Sequence, residues 1–194
     1  KQYFMMSFPA KAHVGKIPRS KAYVNYSRSL AAYSVIQYVL DIRDRHNGNI
    51  LIDDEGHVIH CDFGFMLTNT PGNVFFEPTA FKLTNELTDV LGGSSSKLFG
   101  QCRKSIVEGM VAARRHLCEL LDLLELMMLG EENVDLPCFK HWERVIRDLP
   151  SRMRLDIKDE DRFRKWCDRL IDESLHNWRS VAYDRFQWWS QGIH

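Results

Sequence analysis

The chain has 194 residues, enough for one hydrophobic core, and 44% of them are apolar, the proportion of a folded globular chain. Lys plus Arg and Asp plus Glu number 26 each, so no global field points to nucleic acid, and an anionic membrane would have to be met by a local basic patch. Five scattered cysteines without a Cys-x-x-Cys pair read as reduced thiols of a cytosolic compartment, and with neither a signal peptide nor an apolar run approaching roughly 20 residues, any membrane contact is expected to be peripheral.

Lys1 to Arg19 carries Pro9, Gly15 and Pro18 and reads as an irregular lead-in. Gly15-Lys16 lacks an upstream Gly at phosphate-loop spacing and is no P-loop. Ser20 is placed to cap a helix after Pro18. A helical pattern runs from there to about Ile42, with Tyr23, Tyr26, Leu30, Ala31, Ser34, Tyr38 and Ile42 near one face. Beyond a charged stretch, Ile50-Leu51-Ile52 is a short β run, Asp53-Asp54-Glu55-Gly56 a turn and Val58-Ile59-His60-Cys61 a second run, together a small hairpin. Phe65 to Phe81 has little periodicity and contains Pro71-Gly72 and Pro78, so it reads as a long loop. Gly92-Gly93 and Ser94-Ser95-Ser96 precede two expected helices, Lys97 to about Ala113 and about His116 to Leu129, the second stopped by Gly130. Leu117, Leu120, Leu121, Leu124, Met127 and Met128 have helical spacing and read as core packing. A further helix is expected over Lys158 to His176, its charges to Arg169 forming a solvated face, and a last amphipathic one over Asn177 to about Gln191. In that last helix Trp188-Trp189, with Arg179 and Arg185 nearby, reads equally as a membrane-interface pair or as one core and one exposed residue.

The chemistry lies in Asp44-Arg45-His46-Asn47-Gly48-Asn49, followed across the hairpin by Asp62-Phe63-Gly64. Asp44 and Asn49 are five positions apart, the spacing at which kinases keep a substrate-facing carboxylate and a neutral oxygen ligand for a metal; Asp62 supplies a second, anionic ligand. The usual kinase loop puts its His two residues before the Asp, whereas His46 lies two after Asp44, and this inversion points to lipids rather than proteins. The hairpin should hold Asn49 and Asp62 at its free ends on the same side, so that both reach one Mg²⁺, a hard cation that takes few protein ligands beside phosphates. His46 is a second candidate for taking the hydroxyl proton near neutral pH. Arg45 has two open roles, pairing with a loop carboxylate or facing a phosphate. His57, His60 and Cys61 invite a zinc reading, but strand alternation sends His60 and Cys61 to opposite faces and argues against it.

These residues resemble the phosphatidylinositol 3-/4-kinase family, whose catalytic loop reads Asp-Arg-His-Asn-x-Asn and whose activation loop starts Asp-Phe-Gly. Within it the chain is most similar to the type III phosphatidylinositol 4-kinases of the beta, Golgi-type branch. The resemblance runs through Asn49-Ile50-Leu51, Gly56-His57-Val58-Ile59-His60, Asp62-Phe63-Gly64-Phe65, Ala80-Phe81-Lys82-Leu83-Thr84 and Gly92-Gly93. It continues more weakly through Ala112-Ala113-Arg114, Leu136-Pro137-Cys138-Phe139 and Tyr183-Asp184, covering nearly everything from Ser20 onward. It implies a mainly α fold with a small β-hairpin, the C-terminal lobe of a protein-kinase-like (α+β) fold. Residues 1–19 would lead into a lobe over 20–194, with catalytic loop 41–49, activation loop 62–86 and a helical part 97–194. The family's small lobe would precede residue 1, and the 194-residue chain alone is expected to turn over little. Asp44 and His46 would assist the inositol hydroxyl, Asn49 and Asp62 would bind Mg²⁺ (or Mn²⁺) and through it the phosphates of ATP, and Leu51 and Cys61 would form the floor under the adenine. The family usually has Ile where Cys61 stands, which shortens the apolar floor and puts a thiol beside the nucleotide.

The expected reaction is ATP-dependent phosphorylation of phosphatidylinositol at the 4-hydroxyl, with a 3-kinase or a non-catalytic kinase-like lobe as alternatives. Between Gly64 and Lys82 there is no Lys or Arg, and Glu77 is the only charge. A loop that grips a multiply phosphorylated inositol needs cations, so the unphosphorylated lipid is the better match. The resemblance further implies peripheral association with Golgi or other intracellular membranes, and small-GTPase or adaptor partners.

Overall fold

The computed structural model describes residues 1–11, 16–69, 79–129 and 136–177, together with residues 182, 184, 185 and 189. It is mainly helical, with one two-stranded antiparallel hairpin, as the sequence leads one to expect. The elements are α1 (Gln2–Ser7), α2 (Arg19–Val39), β1 (Ile50–Ile52), β2 (Val58–His60), α3 (Asn85–Val90), α4 (Lys97–Arg115), α5 (Leu117–Met128), α6 (Trp142–Arg152) and α7 (Glu160–Leu175).

Helix α2 is the axis of the fold: it packs chiefly on α4, and α4 on α7. Tyr26, Leu30, Phe99, Ile106, Met110, Phe163 and Ile171 meet in one continuous apolar core. The approach of α2 to α4 is close enough that a Cβ on Gly109 would lie 2.8 Å from Val35 Cγ2. Ser96 caps α4 by accepting the Phe99 N–H at 3.0 Å, and Asp159 caps α7 through the Arg162 N–H at 2.7 Å. Phe163 and Cys167 are buried on the inner face of α7 while its charges lie at the rim, the division expected for Lys158 to Arg169.

Several expectations are corrected. The lead-in is not wholly irregular, because Phe4 packs on Phe8, Tyr23 and Tyr26 and gives α1 a buried side chain to form around. Helix α2 is capped by Pro18 rather than Ser20, since the Pro18 carbonyl already accepts from Lys21 and Ala22. Helices α3 and α6 were not expected: α3 has only six residues, and α6 contains Pro150, which removes one intrahelical N–H bond near its C-terminal end. The α5 stripe is not core throughout. Leu117 is buried, Leu120, Leu121, Leu124 and Met128 are half-buried, and Met127 is exposed with Leu123 and Leu126. The Gly130 stop, residues 70–78 of the long loop, Trp188 and most of the expected helix Asn177–Gln191 lie outside the described residues; Trp189 is exposed.

Candidate active site

The hairpin is placed by polar side chains of α2. Asn25 Nδ2 donates to the Glu55 carbonyl at 2.8 Å, Ser29 Oγ accepts the Val58 N–H at 2.8 Å, and Tyr33 stacks on His60 with ring centroids 4.3 Å apart. Gly56 (φ +84°) closes the turn against α2, where a Cβ would come within 2.9 Å of the Ala22 carbonyl oxygen. The register pairs Ile50 with His60, Leu51 with Ile59 and Ile52 with Val58. The pairing extends past the open end, where the Cys61 N–H donates to the Asn49 carbonyl at 3.0 Å. Asn49 and Asp62 therefore flank one end of the hairpin, as the two runs and the turn imply.

A single tight turn, Asn47–Asn49, carries the loop into β1. The Asn49 amide nitrogen donates to the Asp44 carbonyl at 2.9 Å, which fixes the amide and leaves its oxygen as the end available to a cation. Asp44 (φ +60°) and Asp62 (φ +56°) both have left-handed backbone, the region in which a short polar side chain is tolerated and a bulky one strained. Asp62 is exposed, and its Oδ1 accepts the Gly64 N–H at 3.1 Å. A carboxylate and an amide oxygen are both hard-oxygen donors, the kind of ligand that Mg²⁺ takes. No cluster of three or more His, Cys, Asp or Glu fit for a metal occurs among the described residues.

Arg45 joins the two loops. Its guanidinium is 1% exposed and donates from Nε to the Arg43 carbonyl at 3.0 Å, from one terminal nitrogen to the Cys61 carbonyl at 2.6 Å, and from the other to the Asp62 carbonyl. It also lies over the Phe63 ring, 5.6 Å from the centroid. These three bonds go to backbone carbonyls, two of them those of Cys61 and Asp62. The segment beyond Gly64 then runs back along residues 40–43, with Arg43 N–H to Phe65 O at 2.9 Å and Leu67 N–H to Leu40 O at 2.8 Å.

His46 is buried, and that burial holds its imidazole below the ordinary range, with the Lys82 and Arg45 charges adding and the Asp44 and Asp184 carboxylates opposing. Burial thus favours the neutral ring, the form that can accept a proton. On the outer face of the hairpin Leu51 is 53% exposed and Cys61 half-buried. Between them in register sits Ile59, 38% exposed, which the sequence reading passed over although period-two alternation places it with Leu51 and Cys61. His60 turns inward, opposite to Cys61. Lys82, Asn47 and Asp184 stand in the stretches that carry the resemblance but were given no role: Lys82 Nζ lies 2.8 Å from Asn47 Oδ1 and 2.6 and 2.8 Å from the two Asp184 carboxylate oxygens.

A family model described as phosphatidylinositol 3- and 4-kinase matches residues 1–137. A phosphatidylinositol 4-kinase of Dictyostelium discoideum is 42% identical over 170 residues, 88% of this chain and 14% of that protein. Phosphatidylinositol 4-kinase beta of Danio rerio is 40% identical over 169 residues, 87% of this chain and 20% of that protein, and the same holds for that of Xenopus laevis. The chain thus spans a fifth or less of the length of these curated relatives.

Proposed function

The chain belongs to the phosphatidylinositol 3- and 4-kinase family, and from that premise we propose that it carries the catalytic and activation loops of a phosphatidylinositol 4-kinase. The observation that carries this reading is the convergence of Asp44, His46, Asn49 and Asp62 at the open end of one hairpin, tied together by Arg45 and by the Cys61–Asn49 bond. Phosphoryl transfer needs positioned phosphates, an aligned hydroxyl and somewhere for its proton to go, and this end of the molecule offers each.

In this reading Asn49 and Asp62 would hold Mg²⁺, or Mn²⁺ in its place. Bound there, the ion supplies charge neutralisation on the transferring phosphate. His46, neutral and buried, accepts the proton of the inositol hydroxyl, and Asp44 orients that hydroxyl. Leu51, Ile59 and Cys61 form an apolar floor for adenine. The absence of cations from the sequence 65–81 favours unphosphorylated phosphatidylinositol, and the names of the relatives favour the 4-hydroxyl. No helix among the described residues is long and apolar enough to cross a membrane. We take the protein to meet its lipid peripherally, at Golgi or other intracellular membranes, with small-GTPase or adaptor partners.

The test is a lipid kinase assay on the full-length protein with ATP and phosphatidylinositol vesicles, resolving the product's regiochemistry. Phosphatidylinositol 4-phosphate is expected, and Asp62→Ala should lower kcat by about 100-fold or more. A 3-phosphate product moves the chain to the 3-kinase branch. A folded protein that makes no product, or an active Asp62→Ala variant, overturns the reading.

A further inference from the structure

Lys82 closes the activation loop with a side chain only 1% exposed. A buried ammonium is tolerated only where its three donors are matched, and here they are: Asn47 Oδ1 at 2.8 Å and both Asp184 carboxylate oxygens, at 2.6 and 2.8 Å. The Lys82 backbone is fixed separately, its N–H donating to Gln37 Oε1 of α2 at 2.9 Å. The ammonium is therefore held at one end by the central helix and balanced at the other by a carboxylate 102 positions downstream.

Asn47 opens the tight turn that places Asn49, and it directly follows His46. Its Oδ1 belongs to Lys82, while its Nδ2 has only a long contact, 3.4 Å, with the exposed Glu86 carboxylate. Lys82 is thus the better-placed hold on the catalytic turn. Without Asp184 the ammonium would be buried beside a neutral amide, short of two acceptors and of its counter-charge, and would draw water or turn away from Asn47.

We propose that Asp184 is a positioning residue: through Lys82 and Asn47 it holds the catalytic turn 46–49 in reactive geometry, so that phosphoryl transfer depends on the Asp184–Lys82 pair. This rests on the reading of the turn as a phosphoryl-transfer centre. Asp184 acts by keeping Lys82 where Asn47 needs it, beside the electrostatic influence its carboxylate has on His46. A small displacement of catalytic groups suffices for a large rate loss.

The experiment uses the full-length protein. Asp184→Asn should lower kcat by about 10- to 100-fold while KM for ATP stays within about twofold, and Asp184→Glu should recover part of the loss. A double-mutant cycle gives the sharper answer. In a Lys82→Met background, where an apolar chain fills the same slot, adding Asp184→Asn should change kcat by less than about twofold. Equal losses from Asp184→Asn in both backgrounds, or wild-type kcat in Asp184→Asn, overturn the proposal. Amide hydrogen exchange of residues 46–49 supplies a readout independent of lipid kinase activity. Exchange should rise in folded Asp184→Asn whether or not the wild-type protein phosphorylates lipid, and unchanged exchange sinks the positioning role. An inactive wild-type protein whose turn still loosens in the variant defeats the functional reading and leaves the linkage standing.

Discussion

At Asp44 and Asp62 the side chains proposed for chemistry sit on backbone that most residues avoid, with φ near +60° in both. An L-residue without a local polar contact loses about 1–2 kcal/mol there, whereas Gly loses little beyond its extra freedom in the unfolded chain. Asp62→Gly should therefore be more stable than Asp62→Ala by about 1 kcal/mol, although both abolish activity; equal denaturation midpoints would remove the strain argument. His60 makes a different point. Burial, with Arg45 and Lys82 nearby, pushes its imidazole down to about 4 from an ordinary 6.5. Its folded value is the lower one, so between those values the unfolded chain binds the extra proton and stability falls as pH falls. The loss should approach about 3 kcal/mol by pH 4 and be absent above pH 6.5. His60→Phe, which keeps the stack on Tyr33, should flatten the slope of unfolding free energy between pH 6.5 and 4, and an unchanged slope would reassign the acid sensitivity to other groups.

At the scale of elements, α2 acts as a jig: it presents Asn25, Ser29, Tyr33 and Gln37 in succession to the hairpin turn, β2, His60 and Lys82. Removing the Ser29 hydroxyl leaves the Val58 N–H buried without its acceptor, so Ser29→Ala should destabilise by about 1–3 kcal/mol. Gly56→Ala should also be costly, because a left-handed φ combines with a contact to α2 backbone that cannot yield. Gly109→Ala meets only the Val35 side chain, which can turn, so its loss should be the smaller; the reverse order of denaturation midpoints would mean that the hairpin turn adapts. The hairpin and the long helices were legible in the sequence because their signals are local: two short β-type runs around the Asp53–Gly56 turn, a helical pattern along α2, and the Gly and Ser punctuation ahead of α4. Helix α6 was hidden by Pro150, whose usual meaning is a break. That Asn49 and Asp62 flank one end of the hairpin could be read because a hairpin of known length separates them. Lys82 and Asp184 could not, since only the folded chain brings together groups 102 positions apart.

For the molecule as a whole, the core divides unequally. Helices α2, α4 and α7 share one large apolar cluster, into which Phe81 and Leu83, ahead of α3, also pack. A small separate cluster, Leu67, Phe139 and Val145, joins the segment after Gly64 to α6 and the stretch before it. Helix α5 commits only Leu117 fully to the interior and leaves Leu123, Leu126 and Met127 in solvent. Local opening follows buried apolar contact rather than secondary structure as such. Amides of α2 and α4 should consequently exchange only through global unfolding, while those in the second half of α5 exchange through a smaller opening. The catalytic turn should side with α2, because the hairpin and Lys82 are bonded to that helix. Adding denaturant below the unfolding transition separates the two classes: local openings respond weakly and global ones steeply. If the α5 amides follow the same steep denaturant dependence as those of α4, the molecule opens as one unit and the exposed leucines do not mark a weaker layer.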